Sequence, residues 1–393
     1  MKILMLTPYL PYPLLSGGQI RSYNLIKNLA QSHKITLFSF IRSEDERRYL
    51  PELLKYCKKV VVRRRRRAFS PFNILMAGIS YYPFLMCLYW DPFSKKLIRE
   101  EIKNEKYDLI HAETFYIMHI LPKTQLPVVL AEQNIEWQVY KRFSDQANLF
   151  FKPFLYFDVT KIKIWEEFFW QKVKRIIVAS TLDKQIIEKK IKKEVALVPN
   201  GVDLDYFSEL HKEPHQQPRI LFVGNFKWIQ NRDAVNFLIS EIWPRIKEKM
   251  SKVELLIVGK DAPSRLKEKI KESGAILKED VSEIADVYRV VDLLLAPIRI
   301  GGGTKFKILE AMAAGIPVVT TKEGIEGLKV KDGREILVGE TVEDLVRKTI
   351  EILKNENLRD DLLAKAKTLV SESYNWKKIS QNLDRAWREA VHG

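Results

Sequence analysis

The sequence predicts an α/β protein built from two doubly wound, parallel-sheet domains in tandem. Three observations predict it. The chain is 393 residues long, enough for two domains that each bury a core. Short β-branched runs alternate with helical patterns along its length, as expected of parallel strands covered by helices on both faces. One polar stretch, S-E-L-H-K-E-P-H-Q-Q-P over residues 208–218, interrupts the alternation midway and reads as a linker. The expected division is 1–207, a linker 208–218, 219–375, and a last helix 376–393 that crosses back to the first domain.

Each element follows from its local pattern. Lys2–Leu6 is an expected strand. Gly17-Gly18 ends the loop after it, and Gln19–Ser32 is an amphipathic helix. Strands follow at Ile35–Phe40, Lys59–Val62, Asp108–Ala112 and Pro127–Ala131. One long helix then runs to about Lys172, with strands at Arg175–Ala179 and Glu194–Pro199. The second half restarts at Arg219–Val223, with a helix from about Asp233 and strands at Glu254–Val258 and Ala275–Leu277. A helix at Ser282–Val290, a strand at Asp292–Ala296, a glycine-rich segment with its helix, and a strand at Pro317–Thr320 complete it. In such folds ligands bind beyond the carboxyl ends of the strands, here in a crevice between the two domains.

Composition narrows the function classes. Hydrophobic residues make up 46% and charged residues 30%, as in a soluble globular protein. Sixty-six Lys and Arg against 50 Asp and Glu give a net charge of +16. That balance favours an acidic partner: nucleic acid, anionic lipid or a phosphorylated substrate. Cys57 and Cys87 are the only cysteines, which excludes a disulfide framework or a cysteine-rich zinc site and fits a reducing cytoplasm. Six histidines lack a ligand spacing, so neither a metal nor a cofactor is expected. The first apolar run is too short for a signal peptide and reads as a buried strand.

One segment complicates a wholly soluble reading. Arg63, Arg64, Arg65, Arg66 and Arg67 stand directly before Ala68–Trp90, which holds no charged residue. Three readings are open. A single membrane span has the length, but Pro71, Asn73, Gly78, Ser80 and Pro83 interrupt it. The segment can instead be buried loop and helices, or an interfacial patch with arginines on anionic headgroups. Five arginines also suit nucleic acid, but no nucleic-acid-binding motif accompanies them, and none is expected as partner.

The most informative stretch is R-I-G-G-G-T-K-F-K-I-L-E-A-M-A-A-G-I-P-V-V-T-T, residues 299–321. Glycines let backbone N–H groups approach an anion closely. A helix beginning just after them points its positive dipole end at the same anion. Lys305 and Lys307 add charge, and Glu310 stands further along. The arrangement suits a diphosphate followed by a hydroxyl-rich group, the two parts of a nucleotide sugar. The plainer readings are a solvated charge at Lys305 and a cation pair at Glu310. A second motif, V-P-N-G-V-D-L-D-Y-F, begins at Val198. Asn200 and Asp203 can fix a turn there, and an interdomain hinge is the plainer reading.

Together these two motifs resemble glycosyltransferase family 4, and the resemblance covers essentially the whole chain. It implies the GT-B fold, two facing Rossmann-like domains, and retaining transfer of a sugar from a nucleotide donor to a hydroxyl acceptor. The resemblance also implies donor contacts from Gly17, Gly18, Asn200, Lys227, Val281, Gly302, Gly303, Thr304, Lys305, Lys307 and Glu310. Backbone near Val281 matches where the family holds the nucleobase.

The chain departs from the family in three places. Many members carry a glutamate where this chain has Gly302. Many carry an Arg and a Lys where it has Asn225 and Gln230, so Lys227, Lys305 and Lys307 are the expected replacements. The G-G-G-T-K loop therefore marks a distinct branch. Family members often place a catalytic histidine at the position of Glu113. The expected acceptor-side candidates are accordingly His111, Glu113 and Glu132, each at a strand end, with a purely structural role as the alternative. The function expected is transfer to a lipid-linked or polysaccharide acceptor in envelope glycan synthesis, on the inner face of the cell membrane. A nucleotide-sugar epimerase and a non-catalytic scaffold are the rival readings.

Overall fold

A computed structural model describes residues 1–145, 147–208, 210–279, 281, 283–300 and 305–393. They form two compact units, Met1–Pro199 with Ile379–Gly393, and Asn200–Lys378. The division falls at Asn200 because the segment after it packs into the second unit. Val202 and Phe207 are buried beside Leu221 and Leu294, and Val202 N donates to Tyr374 O at 2.8 Å. At the other end, Ile379, Leu383, Ala386, Trp387 and Ala390 of the helix Trp376–His392 are buried. The part of that helix from Ile379 onward belongs to the first unit.

The first unit holds a seven-stranded sheet: β1 (Lys2–Thr7), β2 (Lys34–Ile41), β3 (Lys59–Arg64), β4 (Leu109–Glu113), β5 (Val128–Glu132), β6 (Arg175–Val178) and β7 (Val195–Leu197). Its order is β3-β2-β1-β4-β5-β6-β7, and every pairing is parallel. The second holds β8 (Arg219–Val223), β9 (Glu254–Val258), β10 (Ile276–Lys278), β11 (Leu293–Ala296), β12 (Val318–Thr320) and β13 (Leu337–Val338), in the order β10-β9-β8-β11-β12-β13, again all parallel. Strands such as Ile3–Thr7 and Leu109–Glu113 are buried at every position, which is why they read as unbroken apolar runs.

The direction of winding reverses between β1 and β4 in one sheet and between β8 and β11 in the other. Ligand sites in open parallel sheets lie at such reversals. The loops that leave these strands include Pro8–Ser16, Thr114, Gly224–Trp228 and the start of the glycine-rich segment. The candidate motifs therefore sit at the two reversals, one set in each unit.

Three expectations need correction. The long helix before Lys172 is two helices, Glu136–Asp145 and Lys152–Lys172. Pro153 is the reason, since proline is tolerated in a helix's first turn but not its interior. The apolar stretch 68–90 is not one span. It folds as the helices Pro71–Ile79 and Phe84–Leu88, and among the described residues no helix is long and apolar enough to cross a membrane. The helices Val342–Lys354 and Glu356–Ser373 have no counterpart in the expected order. Thr341 and Asn355 begin them as N-caps, accepting from Asp344 N at 3.1 Å and Leu358 N at 3.0 Å.

Candidate functional site

In the second unit the site begins with two glycines that permit close approach. A Cβ on Gly224 would lie 2.7 Å from the Asn231 side chain, and one on Gly259 would collide with the Gly224 carbonyl. The chain thus turns tightly after β8, with Gly224 N donating to Val258 O at 3.0 Å. Asn225 Oδ1 accepts from Lys227 N at 2.8 Å, and Arg232 donates to the carbonyls of Phe226 and Lys227, both at 2.9 Å. Lys227 and Trp228 remain exposed. The loop is hydrogen-bonded along its backbone and open at these two side chains.

Asn231 ties this loop to the glycine-rich helix, Phe306–Ala313. Its Nδ2 donates to Asn225 O at 2.7 Å, and its Oδ1 accepts from Lys307 Nζ at 2.9 Å. Lys307 lies over the Phe222 ring at 4.6 Å. Desolvation, with the Lys305 charge behind it, brings the Lys307 ammonium down to about 7. One turn on, desolvation pushes the Glu310 carboxyl up to about 7, against Tyr288 and Lys307, which favour its ionised form. Tyr288 Oη donates to Glu310 Oε2 at 3.4 Å. Both residues keep some surface in contact with solvent, so it is the head groups that lose water. A cation and a carboxylate are therefore both set to titrate near pH 7, with few partners among the described residues, a condition that an anionic, hydroxyl-bearing ligand relieves.

The other expected donor residues are placed as follows. Lys305 is 6% exposed and immediately precedes the helix. Asn200 is buried at the start of the unit, and Val281 packs against the core that includes Leu294 and Ile308. Gly302, Gly303 and Thr304 lie outside the described residues. Arg299 forms a bidentate pair with Asp233, at 3.0 and 2.6 Å, next to that loop.

In the first unit, Gly17 and Gly18 open the helix Gly17–Leu29, whose N-cap is Ser16. A Cβ on Gly18 would collide with Tyr9 Oη. Tyr9 in turn accepts from Gln133 Nε2 at 2.6 Å, and the same amide donates to Glu113 Oε2 at 2.9 Å. Glu113 Oε1 lies 3.2 Å from His111 Nε2, and Trp387 Nε1 donates to His111 Nδ1 at 3.1 Å. Because Nδ1 accepts from the indole, the imidazole proton sits on Nε2 and points at Glu113.

Desolvation pushes the Glu113 carboxyl up, but His111, Arg21 and Gln133 outweigh it and hold the group below its ordinary value. His111 and Glu113 are completely buried, and Arg21 is 1% exposed. Acceptor-side candidates at a strand end are expected to be reachable, but the His111 and Glu113 side chains are fully buried. Glu132 is enclosed too, accepting from Trp170 Nε1 at 3.0 Å. Desolvation, with the Glu166 charge added, raises its carboxyl well above the ordinary value.

Asn231, Tyr288, Gln133 and Trp387 were not legible as site residues. Asn231 and Tyr288 reach Lys307 and Glu310 from separate helices, and no spacing in the sequence links them. Trp387 meets His111 across 276 residues.

The arginine run splits between strand and loop. Arg63 Nε pairs with Asp91 at 3.1 Å. Arg66 donates to Trp90 O at 3.3 Å and lies over the Phe72 ring at 4.0 Å. Arg64 and Arg67 are exposed. The apolar stretch after them divides as well: Leu85–Leu88 is buried in the core, while Phe69, Ile74, Leu75, Ile79 and Tyr81 are exposed.

Comparison with known proteins completes the assignment. Residues 15–206 match Glycosyltransferase Family 4, and residues 217–355 match Glycosyl transferases group 1. A Klebsiella pneumoniae protein described as an uncharacterized 44.6 kDa protein in the cps region is 22% identical over 396 residues, covering 97% of this chain and 98% of its own length. The phosphatidyl-myo-inositol mannosyltransferase of Mycobacterium leprae is 26% identical over 203 residues, covering 48% of this chain and 52% of that enzyme. Among solved structures, sucrose-phosphate synthase from Thermosynechococcus elongatus has a TM-score of 0.73 at 16% identity, covering 99% of each chain. An Anabaena protein solved with UDP-glucose has a TM-score of 0.67 at 14% identity, covering 98% of each. Two family matches that between them span most of the chain, on this pair of parallel sheets, make the protein a GT-B glycosyltransferase of the family 4 and group 1 type.

Proposed function

We propose that the protein is a retaining glycosyltransferase of envelope glycan synthesis, moving a sugar from a nucleotide-sugar donor to a lipid-linked or polysaccharide acceptor. The observation that carries this reading is the half-buried Lys307–Glu310 station at the winding reversal of the second sheet. The ammonium of Lys307, braced by Asn231, meets the donor diphosphate, with Lys305 and Lys227 beside it. Glu310 accepts from ribose hydroxyls. Breaking the sugar–phosphate bond builds negative charge on the departing diphosphate. Fixed donors aimed there act where charge develops, each worth about 3 kcal/mol. The glycines and Thr304 at 302–304 supply backbone N–H groups to the same anion. Val281 borders the base, and Asn200 borders the transferred sugar.

On the acceptor side the proposal assigns His111 and Glu113 a positioning role. Through Gln133 and Tyr9 they hold the loop that ends in Gly17-Gly18. Glu132 contributes to packing.

Relatives support the substrate class. The Klebsiella relative is described by its place in a cps region, the mycobacterial one acts on a phosphatidylinositol, and the Anabaena neighbour was solved with UDP-glucose. A lipid-linked acceptor also agrees with Arg63–Arg67 and the exposed apolar residues after them, which suit the anionic inner face of a cell membrane.

The test is a melting-temperature screen against UDP, GDP and ADP sugars, repeated with Lys307→Met. One donor should raise the melting temperature of the parent and leave the variant unmoved. If no nucleotide or nucleotide sugar shifts the parent, the proposed donor site is wrong.

A further inference from the structure

Glu136 is a carboxylate that the first unit positions with care and leaves without a partner. It opens the helix Glu136–Asp145, four residues after Glu132 ends β5. Its backbone is pinned from the helix Lys152–Lys172: Glu166 Oε1 accepts from Glu136 N at 2.7 Å, and Glu166 Oε2 accepts from Trp137 N at 3.1 Å. The Glu136 side chain itself makes no hydrogen bond or ion pair among the described residues. It keeps part of its surface in solvent, yet desolvation raises its carboxyl to about 7.

Two neighbouring acids show the contrast. Glu132 and Glu166 are 1% and 0% exposed. Glu132 accepts from Trp170 Nε1 at 3.0 Å, and Glu166 holds the two N–H groups named above. Desolvation raises both well above the ordinary carboxylate value, and the charge of a neighbouring acid adds to it. These two are sealed and bonded to the protein. Of the three, only Glu136 is open.

Phenols stand around the open carboxylate. Tyr89 follows the helix Phe84–Leu88, Tyr116 lies just beyond β4, and Tyr140 is one turn along the helix that Glu136 begins. The Tyr89 and Tyr116 rings stack with centres 5.3 Å apart. Desolvation raises all three phenols, and the Glu136 charge raises each further, which places all three near that group. Tyr116 and Tyr140 keep part of their surface in solvent. The Tyr89 and Tyr140 hydroxyls make no hydrogen bond among the described residues. Thr114, two residues before Tyr116, has a φ of 75°, a conformation that β-branched residues rarely adopt. Strain of this kind gathers at binding and catalytic sites.

We propose that Glu136, with Tyr89, Tyr116 and Tyr140, binds the sugar of the glycosyl acceptor, the Glu136 carboxylate accepting a hydrogen bond from one of its hydroxyls. The inference deepens the acceptor side of the proposed function and rests on that reading.

The chemistry of the site selects this occupant. Among the described residues no three His, Cys, Asp or Glu side chains gather to hold a metal ion. A small anion is opposed by Glu136 itself. A sugar suits every group present: one O–H donates to the carboxylate, a second oxygen accepts from a phenol, and a C–H face packs on an aromatic ring. The carboxylate has already lost much of its water on folding, so the hydroxyl gains a charge-assisted bond in a site prepared for it. Glu166 has a positioning part, because it fixes the backbone from which Glu136 projects.

The experiment is saturation-transfer NMR of the full chain with the methyl α-glycosides of glucose, galactose, mannose and N-acetylglucosamine, scored beside the donor-induced melting shift. At least one glycoside should take up saturation from the parent. Glu136→Ala should raise the Kd of that glycoside about tenfold or more, and Tyr140→Phe about threefold. Both variants should keep the donor shift, which shows that they fold. Inorganic phosphate and magnesium chloride should leave the glycoside signal unchanged.

If no glycoside takes up saturation, or if Glu136→Ala binds the glycoside as the parent does, the site is overturned. Displacement of the glycoside by phosphate or magnesium overturns the choice of an uncharged occupant. A parent that binds a glycoside through Glu136 but shows no donor shift keeps this site and loses the donor site; one that shifts with a donor but binds no glycoside does the reverse.

Discussion

Glu113 and Glu310 stand near the winding reversals of their respective sheets, yet the protein treats them oppositely. Glu113 is completely buried and still ionised below its ordinary value, because His111, Gln133 and Arg21 surround it with donors and positive charge. Desolvation of its carboxyl pushes Glu310 up to about 7, because Tyr288 at 3.4 Å and the Lys307 charge offset too little of that cost. A carboxylate whose partners are all supplied by the fold belongs to the architecture; one left under-supplied beside an equally under-supplied lysine is arranged for something that arrives later.

Four measurements would break or sharpen that contrast. The largest effect is expected for Glu113→Ala. Removing one partner of a buried ionic network leaves Arg21 uncompensated and should cost about 3–5 kcal/mol of stability, read as a lowered urea midpoint. Next, Lys307→Met should weaken nucleotide-sugar binding by about 1.5–3 kcal/mol, roughly 10- to 150-fold in Kd, in titration calorimetry, with little loss of stability. A stability loss as large as that of Glu113→Ala would erase the distinction.

The third concerns pH. On the proposed reading donor binding needs Lys307 protonated and Glu310 ionised, and both groups are brought to about 7. Affinity for a nucleotide sugar should therefore peak near neutrality and fall up to about tenfold per pH unit on each side. Lys307→Met should remove the alkaline limb and Glu310→Gln the acid limb. The smallest effect is expected for Glu132→Gln. The raised Glu132 group is protonated in the fold, so the amide replaces it for less than about 1 kcal/mol at neutral pH. A group with a raised folded value stabilises fully below its unfolded value, near 4.5, and loses that contribution as pH rises through the folded one. Urea midpoints of the parent should therefore decline with rising pH more steeply than those of the glutamine variant.

Much of the architecture was legible because buried parallel strands announce themselves. Lys2–Thr7 and Glu254–Val258 are nearly continuous runs of Ile, Leu, Met and Val, and no competing pattern obscures them. The break before Lys152 was missed although Pro153 marks it, because the apolar period continues on both sides. The donor side was half legible: local sequence shows a lysine and a glutamate one turn apart, but not that Asn231 and Tyr288 brace them. On the acceptor side the burial was not legible. Strand-end positions of His111, Glu113 and Glu132 give no sign that each is sealed, because the groups sealing them, Gln133, Trp170 and Trp387 among them, include ones far away in sequence. The exposed Phe154, Phe157, Ile164 and Phe168 of the helix Lys152–Lys172 went unseen for a related reason. A helix apolar on two faces looks in sequence like one wholly buried.

The position of Trp387 has a consequence for how the molecule is made. The first unit is built from both ends of the chain, and residues 200–378 separate its two parts. During synthesis the sheet through β7 is complete long before the indole that binds His111 exists. At ordinary elongation rates the interval is on the order of ten to forty seconds. Throughout it the pocket that receives Ile379, Leu383, Trp387 and Ala390 stays open on a nascent chain. The second unit, continuous in sequence, can finish first. Assembly therefore runs against the order of translation, and the half of the enzyme made earliest is the last to close.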